Sequence, residues 1–444
     1  MRRVLAPQAR SAEEQQYRVS LLDKLAFALF AVAAVLTFSA IKLAVGPLPV
    51  RLIALLASGL LLLASDPAFV AAAVKRFGRI LLVVTLAAGF AILGSILAGT
   101  APAVIASQIV ELHLQAIVAT VIAGTLAQRF GVGPVAIVLV AAFATTAVVA
   151  VLQALGLDAA WDARAVVGRI SNDPLITREV YEQRERAMGM SFSPVIFGTQ
   201  SCAILALLLS SLLAARNGEP RRFNVLVLAA CAVIAVLSLA TGNRSPLLGM
   251  AIFLASYLLV TRLAIVFVVL PLAAAGLLVA QPMLERMQES DVRAVRTDSS
   301  SENRAVLREY GAYLLSQRPF GYGLDFDSTE HSEQYIDQVK YTTAPLSIRQ
   351  WALHNYYLMF LAKHGLLVLL LLPLVLPRTR KQLHAWWAFT PYMVHIFYHN
   401  DGPLQGDNVF FFVIPLAMLL AGGTDTSEQK LPKRWRRAFE GAPA

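Results

Sequence analysis

Apolar residues in this chain come in long runs rather than at the spacing of a one-sided helix or strand. A helix needs ~20 largely apolar residues to cross the hydrocarbon layer. Twelve candidate runs are read, at roughly 25–42, 49–65, 80–98, 103–127, 133–156, 191–214, 223–240, 245–260, 263–281, 355–376, 385–399 and 408–422. Polar residues gather at the two ends, in short connections, and in two long passages at about 156–190 and 282–353. The pattern predicts an all-α polytopic membrane protein of about 12 transmembrane helices, with two long outside loops, the second partly helical. Residues 25–422 form the membrane domain, and 1–24 and 423–444 are its tails.

Composition agrees. Hydrophobic residues make up 57% and charged residues 15% of the chain, where soluble domains are about a quarter charged. Cys202 and Cys231 both fall inside apolar runs, so neither a disulfide framework nor a zinc cluster is suggested. Met1 to Lys24 contains no short apolar core and no small-residue cleavage site, so the first run is read as a retained anchor.

The net charge of +10 raises the question of nucleic acid, and its distribution answers it. With the N-terminus inside, 21 of the 38 lysines and arginines fall in inside segments, the sidedness that orients helices in membranes. Short outside connections hold only Lys42, Arg51 and Arg244. Both termini are therefore expected in the cytoplasm, and no nucleic-acid partner is expected.

The longest polar interruption, Gln281 to Asn355, carries the most chemistry. Ser299 and Glu302 have capping-box spacing and predict a helix starting near Ser300. Val306, Tyr310 and Leu314, with Leu307 and Tyr313 beside them, form its apolar stripe, and Arg318-Pro319 with Gly321 and Gly323 stops it. Arg304 falls in the first turn, where the helix dipole disfavours a cation and a bound anion would resolve the mismatch.

Three residues outside that helix stand out. Arg244 lies in the turn Thr241-Gly242-Asn243-Arg244-Ser245-Pro246; a guanidinium there suits paired recognition of phosphate oxygens, and a snorkelling arginine is the alternative reading. His354, just before the tenth run, is a natural general base for a hydroxyl or else a hydrogen-bonded interface histidine. Arg186 closes the first long loop and also reads as a solvated charge. Glu111 and His113 lie inside the fourth run, and Lys363 and His364 about ten residues into the tenth. Ionisable residues at such depth are functional hypotheses by default. His395 and His399 are four apart, a metal-ligand spacing with Asp401 nearby, although Tyr392 and Tyr398 favour an aromatic belt. The first outside turn, Ala44 to Val50, contains no acid, and no P-loop, dinucleotide fingerprint or zinc-protease motif is present.

Taken in order, Thr241-Gly242-Asn243-Arg244-Ser245-Pro246-Leu247-Leu248-Gly249, the arginine-bearing loop helix with its Pro-x-Gly-x-Gly stop, and His354-Asn355-Tyr356-Tyr357-Leu358 resemble the O-antigen ligase and polymerase superfamily of bacterial surface-glycan assembly. Arg186-Ala187-Met188-Gly189-Met190-Ser191-Phe192-Ser193-Pro194 is similar to the start of that family's core region, and the resemblance spans about 184–377. Lys363-His364 departs from it, standing where family members often carry an acid.

The resemblance implies an inner-membrane enzyme with its active site facing the periplasm and no cofactor or metal. The donor would be a glycan on undecaprenyl pyrophosphate, with lipid A-core or a growing glycan as acceptor and membrane lipid around the protein. Arg244 and Arg304 would bind pyrophosphate, with Arg186 a third candidate, and His354 would activate the acceptor hydroxyl. Asn355, Arg308, Tyr310 and Arg318 complete the expected substrate-binding set. Ligation to lipid A-core is the leading expectation and repeat-unit polymerisation the alternative. A secondary transporter relying on Glu111, His113 and His395 is the competitor from another class; the long loops and the lack of an obvious internal repeat weigh against it.

Overall fold

The computed structural model describes residues 19–46, 48–171, 186–214, 220–261, 299–339 and 345–422. The first part runs through α1 (Leu21–Phe38), α2 (Val50–Ser65), α3 (Pro67–Arg76), α4 (Gly78–Ala98), α5 (Pro102–Phe130) and α6 (Val132–Ala154). It continues with α7 (Asp158–Ile170), α8 (Pro194–Ala214), α9 (Pro220–Ala240) and α10 (Arg244–Thr261). The second part comprises α11 (Ser299–Gln317), α12 (Glu333–Val339), α13 (Pro345–Gln350), α14 (Tyr356–His364) and α15 (Leu372–Val375). It closes with α16 (Arg380–Ala388), α17 (Thr390–Phe397) and α18 (Phe410–Gly422). Two ladders of two-residue strands are the only sheet among the described residues.

The all-α membrane character stands, while the described residues account for fewer than the expected twelve or so spans. Among them five helices (α1, α4, α5, α6 and α8) are long and apolar enough to cross a membrane, or up to seven if each bent pair counts as one span. The ninth expected run, 263–281, lies outside the described residues. The shortfall elsewhere has local causes. Asp66 ends α2 by capping α3, accepting from the Phe69 amide at 3.2 Å, and the two helices meet at 119°. Gly365 breaks the tenth run, so that α14 and Leu366–Val375 bend by 107°. The eleventh run divides at Thr390-Pro391 into α16 and α17. The apolar parts of α9, α10 and α18 are shorter than a full span.

Residues expected on one side do gather at one end. Ser20 starts α1 with a capping box to Asp23, and its hydroxyl meets that of Ser65 at 2.9 Å. Arg129, at the end of α5, pairs with Asp23 at 3.1 Å and Asp66 at 3.4 Å. Arg79 donates to the carbonyls of Leu374 and Leu376. At the opposite end the Lys42 amide donates to Ser171, and Arg186 meets the turn before α10. Arg164, within the first long polar passage, is fully buried, its Nε donating to the Ser191 carbonyl at 2.8 Å.

The second loop forms a small core of its own. α11 begins within a residue of its expected start and ends at Gln317; the side chains of the Ser299–Glu302 capping box lie outside those described. Leu307, Tyr310 and Leu314 are buried against Ile348, Leu353 and Met359, as the stripe predicts. The Pro-x-Gly-x-Gly segment does more than stop α11. It covers the carbonyls that α14 leaves free at its broken end: Tyr322 donates to Ala362 at 2.7 Å and Gly323 to Lys363 at 3.2 Å. In return the Leu366 amide donates to Pro319 at 2.7 Å. Gly321 and Gly323 both take positive φ there, and a Cβ on Gly323 would sit 2.4 Å from the Ser95 backbone. The loop is thus locked between α4 and the break in α14.

Candidate functional site

The turn before α10 is held from three directions. Thr241 and Asn243 are buried, and the Asn243 amide donates to the Pro194 carbonyl at 2.6 Å. From the first long loop, Arg186 reaches across, its Nη2 donating to the Gly242 carbonyl and to Asn243 Oδ1, both at 3.2 Å. Arg244 follows directly and is exposed at the first position of α10.

Below the turn, Ser245 joins two histidines of the α17 end. Its hydroxyl lies 2.9 Å from His395 Nδ1 and 2.9 Å from His399 Nε2. On its far side His395 Nε2 lies 3.1 Å from the Thr199 hydroxyl and 3.3 Å from the Val195 carbonyl, so the ring is held at both nitrogens. A Cβ on Gly198 would come within 2.8 Å of His395 Cε1, so that glycine makes room for the ring. The metal reading of His395, His399 and Asp401 fails on this geometry. Both rings are engaged with Ser245, and no three metal-ligating side chains converge among the described residues.

α11 delivers the remaining cations. Arg304 is partly buried, and Arg244 and Arg308 lie within electrostatic reach of it. Burial, opposed by the neighbouring Tyr398 and reinforced by those two cations, holds the Arg304 guanidinium below its usual value. Arg308 lies over the Phe397 ring at 5.9 Å. His354 completes the group, with Arg304 among its charged neighbours and its Nδ1 2.7 Å from the Ala352 carbonyl. Nδ1–H donates to that carbonyl, which leaves Nε2 of the neutral ring with its lone pair. Burial, partly offset by the Ala352 bond and reinforced by Arg304, lowers the His354 pKa, so the ring is neutral near pH 7. His399 in turn lies within electrostatic reach of Arg304, His354 and Arg186. Residues far apart in sequence (186, 244, 304, 308, 354 and 399) therefore share one end of the molecule.

Three residues of the expected binding set have other partners. Tyr310 is fully buried and donates to the Ser328 carbonyl at 2.6 Å. Asn355 is buried and caps α14, accepting from the Leu358 amide at 3.1 Å. Arg318 stacks on Tyr322 at 5.1 Å, beyond the far end of α11. Fourteen residues separate it from Arg304, roughly 20 Å at helical rise. Ser245 carries no chemical signal of its own in the sequence, and the i, i+4 spacing of His395 and His399 is legible there while its target, the Ser245 hydroxyl, is not.

The transporter residues scatter. Glu111 and His113 sit in a π-helical turn, Ile109–Leu114. Glu111 pairs with Arg51 at 3.5 Å, while His113 Nε2 meets His364 Nε2 at 3.3 Å. His395 belongs to the Ser245 chain.

Beside the cations an apolar groove of about 430 Å³ opens between α10 and α17. Leu248 and Ile252 line it from α10, Met393 and Val394 from α17, and Phe397 and Tyr398 bound it. Phe397 also carries Arg308, and Tyr398 neighbours Arg304, so groove and cations are continuous.

Residues 229–372 match the family model described as O-antigen ligase. The match takes in Arg244, Arg304, Arg308 and His354, and leaves out Arg186 and the histidines of α17. No curated protein matches the chain. The match over residues 229–372 supports a relationship of this chain to the O-antigen ligase and polymerase superfamily.

Proposed function

We propose that this protein is a periplasmic-side glycosyltransferase that moves a glycan from undecaprenyl pyrophosphate to a sugar hydroxyl, with lipid A-core as the acceptor. The observation that carries this reading is the gathering of Arg244 and Arg308 about Arg304, which itself neighbours His354, whose Nδ1–H donates to Ala352 and leaves Nε2 to accept a proton. His354 Nε2 takes the acceptor hydroxyl proton as the new carbon–oxygen bond forms at the anomeric carbon. The bond from that carbon to the pyrophosphate oxygen breaks, and its electron pair leaves with the phosphate. Arg244, Arg304 and Arg308 offset the growing negative charge. Arg186 and the His395–Ser245–His399 chain hold the Arg244 turn in place. The polyprenyl tail runs into the apolar groove, which joins the cations at Phe397 and Tyr398.

Repeat-unit polymerisation is the second reading, because the same constellation serves either acceptor. The test is transfer by purified protein from lipid-linked glycan to lipid A-core and, separately, to a second repeat unit, with chelator present. Ligation should persist in chelator and fall about 10²-fold or more in His354→Gln. Activity that depends wholly on an added divalent ion, or survives in His354→Gln, would remove this mechanism. Elongation without ligation would select the polymerase.

A further inference from the structure

Trp351 is 54% exposed, one of few large aromatic side chains turned outward among the described residues. Burying such a ring would ordinarily stabilise the fold. Its exposure is not the looseness of a free loop. Ile348 and Leu353, on either side, are both fully buried. The Leu353 amide donates to Ser328 Oγ at 3.1 Å, His354 is bonded to Ala352, and Asn355 caps the next helix. A chain fixed at both ends therefore holds the indole out in solvent. It does so beside the proposed base: the Trp351 and His354 ring centroids are 5.3 Å apart, with their planes tilted by 47°.

We propose that Trp351 is the platform on which the acceptor sugar stacks before its hydroxyl meets His354. This subsite rests on the transferase reading above. The indole suits a pyranose, because one flat apolar face meets the sugar's C–H surface while its polar edge meets hydroxyls. With the ring centroids 5.3 Å apart, a sugar stacked on the indole lies next to the imidazole. Arg304 neighbours the same histidine, with Arg244 and Arg308 within electrostatic reach of it, so the indole and the proposed pyrophosphate cations meet at His354. An exposed tryptophan also suits a membrane-interface anchor, and an anchor answers to lipid rather than to sugar.

The experiment has two arms. In the first, a soluble core oligosaccharide is titrated, without donor, into detergent-solubilised full-length protein and into its Trp351→Phe and Trp351→Ala variants. Affinity should fall about tenfold in Trp351→Ala and largely return in Trp351→Phe, one stacking contact's worth. In the second, steady-state transfer should show a raised acceptor KM in Trp351→Ala, with donor KM and kcat at saturating acceptor little changed. Equal thermal melting of the three proteins controls for folding. Unchanged oligosaccharide affinity and acceptor KM in Trp351→Ala would overturn the proposal, as would a change confined to donor KM or to partition into vesicles. Because the first arm needs no turnover, tryptophan-dependent binding without transfer would sink the transferase reading and leave the sugar platform standing.

Discussion

At the scale of single residues, the proton on His354 decides what the site can do. Nδ1–H donates to the Ala352 carbonyl and leaves Nε2 basic, while burial and Arg304 hold the pKa below the usual 6.5. A base must be unprotonated, so activity is expected to be full near neutrality and to fall on an acid limb below 6.5. Removing a neighbouring cation makes protonation easier, so Arg304→Gln should move that limb upward towards 6.5 while also slowing transfer. The pH dependence of kcat/KM in the two proteins measures this; a limb that stays put or moves down would separate Arg304 from His354. His354 and its possible role were legible from a histidine beside an apolar run. That its neighbours are Arg304, Trp351 and His399 was not, because those contacts depend on how α11, α13 and α17 pack.

Among the elements, the junction of α4, α14 and the Pro-x-Gly-x-Gly segment is where local sequence and packing depend on each other most. A glycine-rich stop after α11 was readable from the chain. Its second role, satisfying the carbonyls of Ala362 and Lys363 at the break in α14, was not, because those partners lie some forty residues away. The contact is so close that a side chain at 323 would meet backbone in a conformation suited to glycine. Gly323→Ala should therefore lower stability by about 1–3 kcal/mol. A reduced melting temperature in detergent checks it, and an unchanged one would mean the loop can lift away from Ser95. The same junction explains Lys363 and His364, which would be costly in a continuous span. At the break, His364 meets His113, and Lys363 lies within electrostatic reach of Asp325 and Asp327.

For the whole molecule, sidedness is the property most open to test. Arg129, Asp23 and Asp66 meet at one end, and Arg186, the Arg244 turn and the α17 histidines at the other. With the basic end in the cytoplasm, a cysteine at the exposed Gln350 should react with a membrane-impermeant maleimide in intact cells. One at the exposed Lys75 should react only after permeabilisation. The native Cys202 and Cys231 are buried and should give little background. The opposite labelling pattern would turn the protein over and place the arginine site in the cytoplasm.

Apolar run lengths and the placement of lysine and arginine determined by themselves that the chain is an all-α membrane protein and which polar stretches share a side. They could do so because solvent partition acts on each segment locally. Which of the described runs form straight, full-length helices was decided by tertiary structure. A run of about twenty apolar residues reads the same whether it crosses straight or breaks at Gly365, and only the partners that satisfy the broken backbone separate the two. The site belongs to that second class. Arg244, Arg304 and His354 each announced a chemistry, but a charge-compensating site exists only where packing brings them together. The stretch from Gln281 to Asn355, a polar interruption in the sequence, supplies from its described part Arg304, Arg308, the proposed base His354 and the exposed indole of Trp351.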